Sequence, residues 1–340
     1  MFTIIIPYYD TNSAFRQRNL LKVIKNYKSI APDFEILVVE QNGNYQLEDI
    51  IEDDYGCKYL NFKLPYDTFH KTRLLNNAIA NIDNDYFIMA DADCIVTKTA
   101  IESIKTEYNM GSILYPFNSV DYYNEAYTRK LMSNSPIEKS YKTDRGLPLK
   151  RFTGMVNCFN RDTYERIGGF DEGIIGWGAE DDAFLMKCER IIGSSYRTKL
   201  DSPLIHMYHP KSDTEEYKKS KMLINNKKIS ALIKRMSDDD LKSYINDNSQ
   251  LQSLLNKYED LGKLDLIINW KFRNVVVTFD STIYDVGTFE SMSLKSILMT
   301  IYSVDGFNFM MSIVDEIYAK VDNLSDSDKN DINECIAMCS

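Results

Sequence analysis

The sequence predicts an α/β fold, a mostly parallel sheet covered by helices, followed by a helix-rich accessory region. Three observations carry this expectation. Short apolar runs, FTIIIP at 2–7, FEILVVE at 34–40 and DYFIMADAD at 85–93, have the length and composition of buried strands. Between the last two, HKTRLLNNAIANI at 70–82 sets Leu74, Leu75, Ala78, Ile79 and Ile82 on one helical face. Beyond about residue 225 the texture changes to longer amphipathic segments. Strand, helix and strand in that rhythm imply parallel pairing through crossover helices.

Taken in order, the opening MFTIIIPYYD has an apolar run that is short, lacks a basic leader and stops at a proline, so it reads as a strand and not a signal segment. The 85–93 run ends in Asp91 and Asp93, at the carboxyl end of a strand, where open α/β sheets bind ligands beside a topological switch point. No G-x-G-x-x-G follows the first strand and no P-loop sequence occurs, which argues against dinucleotide oxidoreductases and P-loop NTPases. Further on, a Ser/Asp cap at 237–240 precedes Leu241, Tyr244, Ile245, Leu251, Leu254, Leu255, Tyr258 and Leu261 at helical spacing. NVVVTFD at 274–280 is strand-like, and the segments 293–304 and 309–321 are amphipathic. The expected organisation is a catalytic domain over 1–225 and a helix-rich accessory domain over 226–340.

A chain of 340 residues exceeds a single ordinary core, which favours two units. Its net charge of −10 is the wrong sign for a broad basic face on nucleic acid. Six cysteines are scattered without paired metal-type spacing, as expected of reduced thiols in a cytosol-like compartment. No stretch approaches the roughly 20 apolar residues of a membrane span, so a soluble, cytoplasmic protein is expected.

Three clusters suggest chemistry. Asp91 and Asp93 offer hard oxygens suited to Mg²⁺ or Mn²⁺ bridging to a diphosphate. HMYHP at 206–210 holds two of the three histidines at a spacing that lets both reach one cation if the backbone turns between them. GWGAEDDAF at 176–184 sets Glu180, Asp181 and Asp182 beside Trp177, and a carboxylate crowded by others and partly desolvated by an indole can be raised toward the range of a general base. Together they suggest attack by an acceptor hydroxyl on a carbon whose leaving group is a metal-bound diphosphate.

The order FTIIIPYYD, FEILVVEQ, FHKTRLLNNAI, FIMADADCIV, GMVNCFNRDTYERIGGFDEGIIGWGAEDDAF and HMYHPKSD resembles the glycosyltransferase A (GT-A) fold, in particular the galactosyltransferase and chondroitin-polymerase-like enzymes. The likeness covers roughly residues 1 to 215 and is most specific from Gly154 to Phe184. It implies a Rossmann-like mixed sheet flanked by helices. It further implies an inverting, metal-dependent transfer of a hexose or N-acetylhexosamine from a UDP-sugar to a hydroxyl of a glycan or glycoconjugate.

Carried over position by position, the resemblance makes Asp181 the catalytic base, Trp177 a platform for donor phosphate and acceptor sugar, and Glu180 and Asp182 acceptor or sugar-hydroxyl ligands. Asp93 and His209 become ligands of Mn²⁺ or Mg²⁺, with Asp91 supporting the metal or the ribose. His206 stands where animal galactosyltransferases carry Met, as an extra imidazole that binds the metal or replaces that Met. Pro7, Tyr8, Glu40, Gln41, Phe69, Lys71 and Arg73 occupy positions that wrap the uridine and its phosphates in the family. Gly178-Ala179 replaces a common Gly-Gly, and Ala183 a further Asp, so acceptor identity is not transferred. A modified DNA base or protein side chain is the alternative acceptor, disfavoured for DNA by the acidic balance, and a non-catalytic nucleotide-sugar-binding module is the alternative without chemistry.

Overall fold

Ile4, Ile5 and Ile6 are wholly buried, and burial on both faces is what places their strand inside a sheet covered by helices. The structure is a computed structural model that describes residues 1–9, 14–43, 46–65, 68–107, 113–133, 154–176, 178–193, 197–199, 202–210, 221–258, 264–269, 274–279, 282–288, 314 and 326–339. Through the first half the chain runs β1 (Phe2–Tyr9), α1 (Ala14–Ile30), β2 (Glu35–Gln41), α2 (Gln46–Asp49), β3 (Lys58–Phe62), α3 (Lys71–Ala80), β4 (Tyr86–Ala90), β5 (Cys94–Val96) and α4 (Lys98–Glu107). It continues through β6 (Ile113–Tyr115), β7 (Ser119–Tyr122), α5 (Glu125–Met132), β8 (Val156–Asn160), α6 (Arg161–Arg166), α7 (Glu180–Ile191), β9 (Arg197–Lys199) and β10 (Pro203–His206).

Among the described residues the main sheet has seven strands in the order β3-β2-β1-β4-β8-β6-β9. β3, β2, β1 and β4 are mutually parallel, and β8 runs antiparallel to both β4 and β6. The order reverses direction at β1, since β2 lies on one side and β4 on the other, and that reversal opens a crevice beyond their carboxyl ends. Val23 and Ile24 of α1 and Leu74, Leu75, Ala78 and Ile79 of α3 belong to the same core as Ile5, Val38 and Ile88 of the sheet. Each such large apolar side chain, fully buried, contributes about 1.5–3 kcal/mol. The expected mixed sheet flanked by helices is therefore the one observed.

The strand expected to run to Asp93 stops at Ala90. Two carboxylates cannot continue into a buried sheet, and the chain turns instead: Asp91 donates its N–H to the Met155 carbonyl (2.8 Å), and Cys94 donates to the Asp91 carbonyl (3.1 Å). A second, three-stranded sheet β5-β10-β7 begins just after this turn and sets His206 opposite Cys94.

The chain divides into two compact units, Met1–Ser212 with Ser237–Ser249, and Asp213–Met236 with Gln250–Ser340. The second unit contains α8 (Lys221–Arg235). The chain then returns to the first unit as α9 (Asp238–Asn246), capped as expected by Ser237, whose hydroxyl accepts the Asp240 N–H at 3.2 Å. The run of helical spacing from Leu241 is interrupted after Asn246, where the Asp247 carboxylate accepts the Ser249 N–H (3.0 Å) in a local turn that competes with helix. A short helix, α10 (Leu251–Lys257), follows in the second unit. That unit also holds a three-stranded antiparallel sheet, β11 (Leu264–Asn269), β12 (Asn274–Phe279) and β13 (Thr282–Thr288), then α11 (Asp326–Cys339). The amphipathic segments 293–304 and 309–321 lie outside the described residues apart from Val314. No helix among the described residues is long and apolar enough to cross a membrane.

The loop leading to α7 is pinned from three sides. The amide of Asn76 on α3 donates to the Phe170 carbonyl (3.0 Å) and to Glu172 (3.0 Å), and its oxygen accepts from the Phe170 N–H and the Tyr164 hydroxyl. Asp171 accepts the Tyr244 hydroxyl of α9 (2.5 Å) and the Gly173 N–H (3.0 Å). Gly169 has φ +68°, and a Cβ there would lie 2.8 Å from the Tyr164 ring. Gly169→Ala is therefore expected to destabilise the protein by about 1–3 kcal/mol in chemical denaturation. Gly193→Ala, also at positive φ but with open space around the new Cβ, lacks that clash and is expected to cost less.

Candidate active site

Lys71 opens α3 with its ammonium buried, the residue being only 6% exposed. The Nζ atom lies 3.0 Å from Asp91 Oδ1, 3.6 Å from Asp181 Oδ2 and 3.8 Å from Glu180 Oε1. Burial lowers the affinity of Lys71 for its proton, and the carboxylates of Asp181, Asp91 and Glu180 more than reverse this, holding it charged. One positive charge does not neutralise three negative ones. Burial pushes Asp181 up to about 7, Lys71 opposes that rise, and Glu180, Asp91 and Asp182 add to it. Glu180 is raised by burial as well, with Lys71 opposing.

The local chain creates this crowding. α7 starts after Ala179, which has φ +71°, a left-handed conformation that costs a non-glycine residue about 1 kcal/mol or more. Ala179 has no capping side chain, and Glu180 folds back so that its carboxylate accepts the Gly178 N–H at 2.8 Å. Three acids in the first turn also meet the positive end of the helix dipole. Asp181 lies against Gly154, where an added Cβ would come within 2.0 Å of Asp181 Oδ2. The other carboxylate oxygen, Oδ1, is buried and has no hydrogen-bond partner. Asp182 is half-buried.

A second cluster forms around Asp93. Its carboxylate is 3.3 Å from His209 Nε2 and 3.8 Å from His206 Nε2, and the three side chains each offer a ligand atom within 4.8 Å of the others. Burial raises the Asp93 carboxyl, and His206, His209, the Cys94 thiol and Arg16 more than reverse this, leaving it below the ordinary value. His209 Nδ1 lies 3.0 Å from the Pro210 carbonyl, and a neutral ring donating there would offer Nε2 as a metal-ligand atom. The backbone between the histidines is held by the Met207 N–H donating to the Asp93 carbonyl (2.8 Å) and the Tyr208 N–H donating to Thr128 (2.8 Å). Tyr122 lies beside the His206 ring, with centroids 5.1 Å apart. A carboxylate with two imidazoles is a donor set that fits a divalent ion such as Mn²⁺. The two aspartates of the 91–93 turn thus face different clusters, Asp91 toward Lys71 and Asp93 toward the imidazoles.

The positions expected around the nucleotide are placed less uniformly. Pro7 and Tyr8, near the end of β1, are buried, Tyr8 to 2% exposure. Glu40, also 2% exposed, accepts the Tyr59 hydroxyl and is closed over by Gly43. Tyr9, which sequence reasoning passed over, is the half-buried aromatic of β1 that stacks on Phe69, with centroids 5.9 Å apart and planes 3° apart. Gln41 serves the loop, donating to the Thr68 carbonyl (2.9 Å) and accepting the His70 N–H (2.7 Å). Arg73 lies 3.7 Å from Glu172. Lys71, expected at the donor phosphates, is held among carboxylates. Trp177 lies outside the described residues.

Residues 3–167 match the family model of glycosyl transferase family 2, and residues 135–212 that of the N-terminal domain of galactosyltransferase. No curated protein sequence matches the chain. Among solved structures, S. aureus TarS 1–349 in complex with UDP-GlcNAc is 12% identical, with 99% of this chain and 90% of that one covered and a TM-score of 0.48. The mannosyltransferase PcManGT of Pyrobaculum calidifontis, in complex with GDP-Man and Mn²⁺, is 15% identical over 77% and 76% of the two chains, with a TM-score of 0.45. A Drosophila galactosyltransferase 7 in complex with manganese, UDP-Gal and xylobiose is 14% identical over 58% and 63%, with a TM-score of 0.37. Of a longer TarS chain, this one spans 60%.

The charge imbalance around Asp181 has a measurable cost. A carboxyl whose folded value is raised from 3.8 to about 7 loses stability as pH climbs through that window, and the loss is complete above about 7. Asp181→Asn removes the ionisation, so its melting temperature is expected to exceed that of the wild type at pH 8, with the gain shrinking as pH falls toward 4. A variant less stable than the wild type at pH 8 would contradict this electrostatic picture.

Proposed function

We propose that residues 3–212, matched by two glycosyltransferase family models, form a glycosyltransferase domain of the GT-A fold that performs an inverting, metal-dependent transfer of a hexose or N-acetylhexosamine from a UDP-sugar to a hydroxyl of a glycan or glycoconjugate. The observation that carries the reading is the neighbourhood of two clusters that meet at the 91–93 turn, a raised carboxylate at Asp181 and an Asp93–His206–His209 donor set. A carboxylate near 7 is matched to taking a proton from an acceptor hydroxyl at neutral pH. The acceptor oxygen then bonds to the anomeric carbon from the face opposite the departing phosphate oxygen, the bond to that oxygen breaks, and Asp181 keeps the proton.

Asp93, His206 and His209 would hold the divalent ion, which supplies Lewis-acid stabilisation of the diphosphate as it leaves. Phe69 and Tyr9 form the aromatic surface beside the crevice, suited to a nucleoside base. Asp182, half-buried at the start of α7, would accept hydrogen bonds from hydroxyls of a sugar, with Trp177 as the platform implied by the resemblance. The second compact unit serves as an accessory domain.

UDP release from a panel of UDP-sugars with Mn²⁺ or Mg²⁺ tests the reading. One sugar is expected to give metal-dependent release, and Asp93→Ala is expected to abolish the response to metal. Asp181→Asn is expected to lower transfer to an acceptor by about 10²–10⁴-fold. Because the base must be ionised, kcat/KM is expected to rise with pH and level off above about 7. Absence of both release and binding for every UDP-sugar with either metal would overturn the donor assignment.

A further inference from the structure

We propose that Lys71 is a positioning residue for the transfer: together with Gly154 it fixes the Asp181 carboxylate by Oδ2, so that Oδ1 is the oxygen that receives the acceptor's proton. This rests on the reading of Asp181 as the base and goes beyond it by assigning which oxygen acts and what aims it.

The two oxygens of Asp181 have opposite surroundings. Oδ2 is the atom 3.6 Å from the Lys71 ammonium and the atom that occupies the space a side chain at position 154 would fill. Oδ1 is buried and makes no hydrogen bond. A buried carboxylate oxygen left bare is costly unless something completes it, and an acceptor hydroxyl would do so during turnover. Glycine at 154 is needed for this arrangement for a reason of space alone, since its φ is not in the left-handed region and alanine is compatible with the backbone there.

Lys71 also joins the base to the other half of the site, because the same Nζ is 3.0 Å from Asp91, two residues before Asp93. The charged groups facing Asp181 are Lys71 from α3, Asp91 from the turn after β4, and Glu180 and Asp182 from α7. Lys71 is the one cation among them and acts to lower the Asp181 value. Its removal therefore moves the acid limb of the pH profile upward, a change that a purely structural role would not produce.

The test measures kcat, donor KM and the pH dependence of kcat/KM for transfer, alongside UDP release without acceptor, in the full chain with Mn²⁺. Lys71→Met is expected to move the acid limb up by about one unit or more. It is also expected to lower the ratio of transfer to acceptor-free release. Lys71→Arg, which keeps the cation but changes its shape, is expected to bring the limb back toward that of the wild type. Gly154→Ala, which displaces Oδ2, is expected to lower kcat by up to about a hundredfold with donor KM little changed. A Lys71→Met protein with an unmoved limb and kcat within about twofold of wild type, or Gly154→Ala with wild-type kcat, overturns the inference. If Lys71→Met does not fold, the Lys71→Arg and Gly154→Ala results decide. A wild type that neither binds nor turns over UDP-sugars overturns the UDP-sugar donor assignment, and this inference with it, whereas an active wild type with indifferent variants overturns this inference alone.

Discussion

One ammonium buried among three carboxylates is the interaction around which the first compact unit is organised. Removing a charge from water costs several kcal/mol even after relaxation, and here four are gathered with a net deficit of positive charge. Such a group persists only where the surrounding backbone leaves it no alternative. Three separate pieces of chain supply that rigidity: the start of α3, the turn after β4 and the first turn of α7. Each is fixed by its own backbone hydrogen bonds, so the carboxylates cannot separate to relieve their repulsion. The strain is local, and the surrounding apolar core is large enough to bear it.

The position of the site follows from topology before chemistry enters. Reversal of strand order at β1 sets the site beyond the carboxyl ends of β1 and β4, where open α/β sheets bind ligands, and the chain of β4 turns sharply there because it reaches two aspartates. That turn then divides its acids between two tasks. Asp91 faces the cation of α3, and Asp93 faces the two imidazoles brought by β10 and the turn beyond it. The second sheet has a narrow purpose in this arrangement, since its register is what brings His206 beside Asp93.

Much of this was legible in the sequence, for physical reasons that can be named. Buried strands and the face of α3 declare themselves because apolar period and burial are the same fact seen twice, as in Ile4–Ile6 or Leu74, Leu75, Ala78 and Ile79. Chemistry-bearing residues such as Asp93, Asp181 and His209 stand out because few structural roles need them in those patterns. Pair geometry was not legible. Lys71 looked like any cation at a helix start, and only the fold shows it enclosed by carboxylates that are distant in sequence. Gly154 carried no signal of its kind either, because the space it vacates is filled by a residue on another element. Tyr8 and Tyr9 differ by one position, and strand alternation sends one into the core and leaves the other beside Phe69.

The return of α9 to the first unit has a consequence in time. Synthesis delivers the sheet, the 91–93 turn and α7 before residues 237–249 exist, and at ordinary elongation rates the missing helix follows a few seconds later. In that interval Asp171 lacks the Tyr244 hydroxyl, Arg190 lacks Asp238, and the surface of Gly168 that Ile245 covers stays open. The nascent chain therefore carries its acidic helix on an unfinished support, and the last brace of the first unit closes only after the ribosome has passed through a segment belonging to the other unit.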